Sequence, residues 1–197
     1  MKLKHLEAEL QQVKTFLNPK IELEQYPTTP HLAANMIHLA HSFGDIEGKV
    51  VCDLGSGCGV LSVASMFMGS CFNFCVDVDS DAQTICLENF ETIFEEFEVD
   101  LVLSDATKVT LRADTVIMNP PFGTRKKNID TAFVRKGLEI ASVVYSMHKT
   151  STRAYLQKEF GGKVLAEMEF DIPKMYKFHK ENNRSVKVDL WRFERVY

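Results

Sequence analysis

No apolar run in the 197 residues approaches the roughly 20 that a membrane-spanning helix needs. The opening MKLKHLEAELQQVKTFL alternates charge with Leu and holds no continuous apolar stretch, so it does not read as a secretory signal. An intracellular protein is the expectation. The five cysteines (Cys52, Cys58, Cys71, Cys75 and Cys86) include no CxxC pair. They read as small buried hydrophobes in a reducing compartment, not as zinc ligands or disulfides. His38 and His41 share a helix face and read as surface or packing residues, so no metal site is expected. Internal repeats, low-complexity tracts and Gly/Ser linkers are absent too. The expectation is one domain over 1–197, with 1–45 as a helical N-terminal segment and 46–197 as a core sheet.

An overall excess of positive charge is also missing. The net charge is −4, which argues against a generic nucleic-acid binder. The distribution says more. Residues 1–118 hold 7 Lys and Arg against 18 Asp and Glu, and residues 119–197 hold 16 against 9. The basic half begins at Asn119 and carries Arg125, Lys126 and Lys127, then Lys174, Lys177, Lys180, Arg184 and Lys187. This reads either as solvated faces or as a phosphate-binding rim.

Along the chain, strand and helix patterns alternate. Residues 3–17 have helical spacing up to Asn18-Pro19, and a second helix starts with Pro30 at its first position and runs to about Phe43. Apolar runs of strand length occupy 49–54, 71–78, 99–104, 114–118 and 142–148. Helical patterns at 60–68, about 80–94, about 130–141 and 150–160 separate them, the last capped by Thr150 or Ser151 and stopped by Gly161-Gly162. Two further strands, 163–172 and 185–193, have no helix between them. The pattern predicts an α/β fold: a seven-stranded, mostly parallel sheet with an antiparallel edge strand and helices on both faces. Ligands of such sheets sit beyond the C-terminal strand ends.

Three candidate loops, DLGSGCG, VDVDS and MNPPF, lie there, with Asp105 in line with them. Asp53-Leu54-Gly55-Ser56-Gly57-Cys58-Gly59 follows a strand and opens a helix. Its spacing is G-x-G-x-G with Val60 next, which weakens a dinucleotide reading. Eighteen residues past Gly59, Asp77 ends the second strand of the sheet, where a carboxylate can accept both hydroxyls of a ribose. Asp105 follows the third strand, where it could accept a bond from an adenine amino group. The last loop, Asn119-Pro120-Pro121-Phe122, ends a buried run with two residues that cannot continue a strand. A plain turn would more commonly use Gly, Asp or Ser.

These loops together resemble the class I S-adenosylmethionine-dependent methyltransferases, and the NPPF form resembles those that methylate exocyclic or amide nitrogens. Glu24-Gln25-Tyr26-Pro27-Thr28, NPPFGT, HKTSTR at 148–153 and YKFHK at 176–180 together resemble the methyltransferase-like protein 5 family, the eukaryotic 18S ribosomal RNA adenine-N6 methyltransferases. The resemblance implies that Gln25, Thr28, Gly55, Gly57, Cys58, Val60, Asp77, Asp105 and Ala106 hold S-adenosyl-L-methionine. It implies that Asn119, Pro120, Pro121 and Phe122 hold the target base. It raises the rim reading for Arg125, Lys126, Lys127, Lys174, Tyr176, Lys177, Phe178, His179 and Lys180 as RNA contacts. It also implies a small zinc-binding activator subunit pairing with an exposed sheet edge near 72–76 and 100–103, and a location in the nucleus (nucleolus) and cytoplasm. Ser56 stands where many relatives are expected to carry Cys. The alternatives are a protein glutamine-N5 methyltransferase and a non-catalytic cofactor-binding subunit.

Overall fold

Strands that are apolar along their whole length need cover on both faces, and the computed structural model covers them. The structure describes residues 1–173 and 183–195. The strands are β1 (Val50–Leu54), β2 (Phe72–Asp77), β3 (Val99–Leu103), β4 (Thr115–Met118), β5 (Val143–Lys149), β6 (Lys163–Pro173) and β7 (Asn183–Glu194). They form one sheet in the order β3-β2-β1-β4-β5-β7-β6. The first five strands are parallel, and β7 runs antiparallel to both β5 and β6. The reversed strand therefore lies one place in from the edge, between β5 and β6.

Among the described residues six α-helices accompany the sheet: α1 (Leu3–Glu9), α2 (Pro30–Ser42), α3 (Val60–Phe67), α4 (Ser80–Ile93), α5 (Ile129–Ile140) and α6 (Arg153–Phe160). The period-2 geometry of the strands divides the core into two layers. Val51, Ile117 and Tyr145 face one way, packing with Leu6, Ile37, Leu61 and Phe90 from α1–α4. Their strand neighbours Cys52, Val116 and Val144 face the other way, packing with Val134 of α5 and Leu156 of α6. Thr29 caps α2 by accepting from the Leu32 N–H at 3.3 Å, as the Pro30 start predicts.

Two expectations at helix starts and ends need correction. The 3–17 pattern is helical only to Glu9, with a 3-10 turn at Leu10–Gln12. Leu6 and Leu10 are buried, but Leu17, next in the same spacing, is 82% exposed. The cause is Asn89 on α4. Its side chain accepts from the Lys14 N–H at 2.8 Å and donates to the Lys14 C=O at 3.0 Å, taking both groups a helix would use. At the other end, α6 begins at Arg153 after a 3-10 turn over Thr150–Thr152, and its first residue carries no side-chain cap. Thr150 Oγ1 instead donates to Asp189 on β7 at 2.8 Å.

Four cysteines are buried as expected, and Cys71 is exposed because it precedes β2 on a turn. Among the described residues no cluster could hold a metal ion, and no helix is long and apolar enough to cross a membrane. Lys174, Tyr176, Lys177, Phe178, His179 and Lys180 lie outside the described residues.

Candidate active site

The C-terminal ends of β1, β2 and β4 gather the three loops, as the parallel order requires. The first loop is tied across to β2: the Gly55 and Ser56 N–H groups both donate to the Val76 carbonyl, at 2.8 and 3.0 Å. Gly57 has φ +52, and its N–H donates to Asp77 Oδ2 at 2.8 Å. Gly59 precedes α3 with φ +84, and a Cβ there would stand 2.4 Å from Cys86 Sγ. Both positive φ and lack of space therefore demand glycine at 59.

Asp77 also accepts from the Asp79 N–H through Oδ1 at 2.9 Å. Burial raises its pKa, against the lowering effect of these two backbone bonds. A carboxylate offers about four acceptor positions. The Gly57 and Asp79 N–H groups use one on each oxygen. Asp105 Oδ1 accepts from the Thr107 hydroxyl and N–H, at 2.7 and 2.9 Å, and those bonds hold its carboxyl below its ordinary range. It stays an acceptor.

These loops floor a cavity of about 500 Å³, within the range of small-molecule and cofactor sites. Gly55, Gly57, Cys58, Val60, Asp77, Asp105, Ala106 and Asn119 all line it. The N-terminal segment roofs it through Val13–Phe16 and Glu22–Thr28. Phe16 rests on the glycine loop, where a Cβ at Gly57 would meet its ring at 2.8 Å. Lys20 Nζ pairs with Asp79 and Asp81, latching this strap to the start of α4.

Gln25 lines the cavity, but its amide is committed elsewhere. Its Oε1 accepts from the Lys20 N–H and its Nε2 donates to Asp79 Oδ2, both at 2.7 Å. It therefore clamps the strap. Thr28 reaches the last loop: its Oγ1 accepts from Asn119 Nδ2 at 2.9 Å. That bond turns Asn119 Oδ1 away, and Oδ1 is buried with no hydrogen-bond partner. A buried acceptor left unpaired costs roughly 1–3 kcal/mol, and this one, at the cavity wall, is open to a donor from a bound molecule.

Pro121 lines the cavity, Pro120 is buried behind it, and Phe122 lies outside. The Phe122 ring stands edge-on to Phe170 at 6.0 Å, with Lys149 Nζ 5.5 Å from its centroid. Asn119 thus lines the cavity, whereas Phe122, three residues on, does not. Arg125 and Lys126 form part of the rim, and Lys127 is exposed beyond it. The Arg125 N–H donates to Glu24 Oε1 at 2.9 Å, so the strap and the loop after β4 are joined twice.

Asn89 and Phe16 escape a sequence reading, since the bond from Asn89 to the Cys58 carbonyl at 2.8 Å spans 31 residues. Asp53 was visible in its motif but without a role. It is buried, Ser62 Oγ donates to its Oδ2 at 2.7 Å, and its Oδ1 has no partner. Burial pushes its carboxyl up to about 7, with the Ser62 bond opposing and the Asp77 charge adding. The folded chain then holds a proton that the unfolded chain releases near pH ~4. This group's contribution to stability accordingly falls as pH rises from about 4 to about 7, and is level above that. Asp53→Asn removes the slope and stabilises the cofactor-free chain at pH 8 by roughly 2–4 kcal/mol. Chemical denaturation of both proteins from pH 5 to 8 checks it, and parallel curves would refute it.

Comparison with known proteins places the chain in a family. The methyltransferase small domain model matches residues 32–162. The rRNA N(6)-adenosine-methyltransferase METTL5 of Danio rerio is 46% identical, covering 98% of this chain and 99% of its own. The Drosophila melanogaster protein of the same description is also 46% identical, over 98% and 97%. A solved structure from Pyrococcus horikoshii, described as a candidate RNA methyltransferase, superposes with a TM-score of 0.88 at 39% identity over 100% of this chain and 99% of that one. The chain belongs to the METTL5 family of rRNA N(6)-adenosine-methyltransferases.

Proposed function

We propose that the protein transfers a methyl group from S-adenosyl-L-methionine to the exocyclic N6 of an unpaired, flipped-out adenosine in 18S ribosomal RNA. The observation that carries this is the buried, unpartnered Oδ1 of Asn119, between a nucleoside-sized cavity and an aromatic ring. The relatives' descriptions as rRNA N(6)-adenosine-methyltransferases support the substrate class.

The cavity fits the cofactor. Asp77 has two acceptor positions free for ribose hydroxyls, Asp105 and Ala106 suit the adenine, and the glycine loop leaves room for close approach. When bound, the cofactor supplies an electrophilic methyl group on a sulfonium. The residues of the chain handle the acceptor. An adenine amino nitrogen is a weak nucleophile because its lone pair is delocalised into the ring. Asn119 Oδ1 accepts one of its N–H bonds and the Pro120 carbonyl accepts the other, favouring a pyramidal nitrogen with its lone pair directed at the methyl. Phe122 stacks on the flipped base. The two prolines hold the acceptors in place before substrate arrives, so little reorganisation is needed. No general base is required, since the proton leaves the cationic nitrogen after transfer.

The basic rim at Arg125 and Lys126, with Lys127 beyond, suits an RNA backbone, and the segment 174–180 adds to it by composition. The β3 edge suits the zinc-binding activator subunit. It is a terminal strand with Leu103 62% exposed, beside Val78 at 54%. Such an enzyme would work where small ribosomal subunits are made and kept, in nucleus and cytoplasm.

The test is transfer of labelled methyl to total RNA and to ribosomal subunits, with and without the activator, read by nucleoside mass spectrometry. N6-methyladenosine in small-subunit RNA is the expected product. Label at protein glutamine instead would retain the Asn119 chemistry and sink the RNA reading. Cofactor binding with no transfer to either would leave a non-catalytic subunit.

A further inference from the structure

The HKTSTR segment has no part in the chemistry above, although it lies beside it. β5 ends at Lys149, and β5 is the neighbour of β4, whose continuation is the Asn119–Phe122 loop. The residues flanking Lys149 are held inward. His148 is buried, with Nε2 2.7 Å from Ser146 Oγ. Arg153 places Nε and one terminal nitrogen on the two oxygens of wholly buried Asp189, at 2.7 and 2.6 Å, and Thr150 adds its hydroxyl to the same carboxylate. This fork fixes the backbone after β5.

Lys149 points the other way, onto the Phe122 ring. Among the described residues it forms no ion pair. A lysine over an aromatic ring at a partly exposed site gains only about 0.5–1 kcal/mol. That is little enough for a better partner to replace. Its charge does not suit the amino group, because methyl transfer delivers positive charge to N6 and a nearby ammonium would oppose it. A nucleotide whose base lies on Phe122 brings an anion with it, namely its own phosphate.

We infer that Lys149 is a positioning residue that binds the phosphate of the target nucleotide, leaving the Phe122 ring as the base stacks there. This rests on the function proposed above. The fork around Asp189 sets the direction of the Lys149 side chain, and the Lys149 charge selects a nucleic acid over an uncharged peptide amide at the same loop.

The experiment compares wild type with Lys149→Met, which keeps an apolar stem against Phe122 without the charge, and with Lys149→Arg. Methyl transfer to ribosomal RNA is measured against RNA concentration at several salt concentrations, alongside cofactor binding. Lys149→Met is expected to raise the KM for RNA about tenfold, with kcat and cofactor affinity within twofold of wild type. The slope of log kcat/KM against log salt should become shallower by about 0.7–0.9, the value of one phosphate contact. Lys149→Arg should restore the wild-type slope. A raised KM with an unchanged slope would make Lys149 a packing partner of Phe122 and overturn the inference, as would an unchanged KM. If wild type itself methylates no RNA, the underlying reading falls first, and the inference falls with it.

Discussion

Asn119→Ala is expected to lower the rate of methyl transfer by roughly 10²–10³-fold, the usual cost of removing one preorganised polar group at a reacting centre. Cofactor affinity should stay within about twofold, because Asn119 is only one residue at the boundary of the cavity, whereas the Asp77 and Asp105 acceptors are untouched. The orientation of the amide matters as much as its presence. Thr28 accepts from Nδ2, and this leaves Oδ1 as the atom facing substrate. Thr28→Val keeps the shape but removes that acceptor, freeing the amide to turn. It should give an intermediate loss, about tenfold, with Asn119 still present. Asn119→Asp separates the two roles: it keeps the acceptor and loses the donor to Thr28. Single-turnover rates at saturating cofactor, with calorimetric cofactor binding, measure all three. A rate for Asn119→Ala within tenfold of wild type would mean that the amino group is held elsewhere.

The loops at the C-terminal strand ends were legible because they follow strands, and a continuous run such as VVCDL or TVIM announces itself without alignment. All seven strands lie within two residues of their predicted limits for the same reason. The N-terminal segment was not legible. Leu3, Leu6, Leu10 and Leu17 keep a helical spacing that a local reading extends too far, and what breaks it is Asn89, 75 residues from Lys14. The same gap conceals the strap. Glu24, Gln25 and Thr28 stand out as a motif, but only the fold shows that Glu24 and Thr28 reach the loop after β4 while Gln25 turns to Asp79. Phe122 was named for stacking, and its place outside the cavity, beside Lys149, follows from the packing of β5 and β6. Sequence patterns thus record which residues end strands, and tertiary hydrogen bonds decide which way those residues face.

The cofactor side carries an equally large expected effect. Asp77→Asn should weaken cofactor binding by roughly 10²–10⁴-fold, since two hydroxyl bonds to a charged acceptor contribute about 1.5–3 kcal/mol each. The carboxylate meets the Gly57 and Asp79 N–H groups, one on each oxygen. An amide sets one NH₂ against one of those donors and leaves a single oxygen to serve the other. Stability without cofactor should nevertheless change little near neutral pH. Burial already disfavours the Asp77 charge, so a neutral side chain relieves that cost while losing a backbone bond, and the two offset. Loss of binding with retained folding therefore separates a ligand role from a structural one. A cofactor analogue lacking the 2′-hydroxyl completes the cycle: it should bind wild type far more weakly than the parent, yet bind Asp77→Asn nearly as well as the parent does. Equal penalties in both proteins would show that the hydroxyl and Asp77 do not meet, and would move the ribose away from the end of β2.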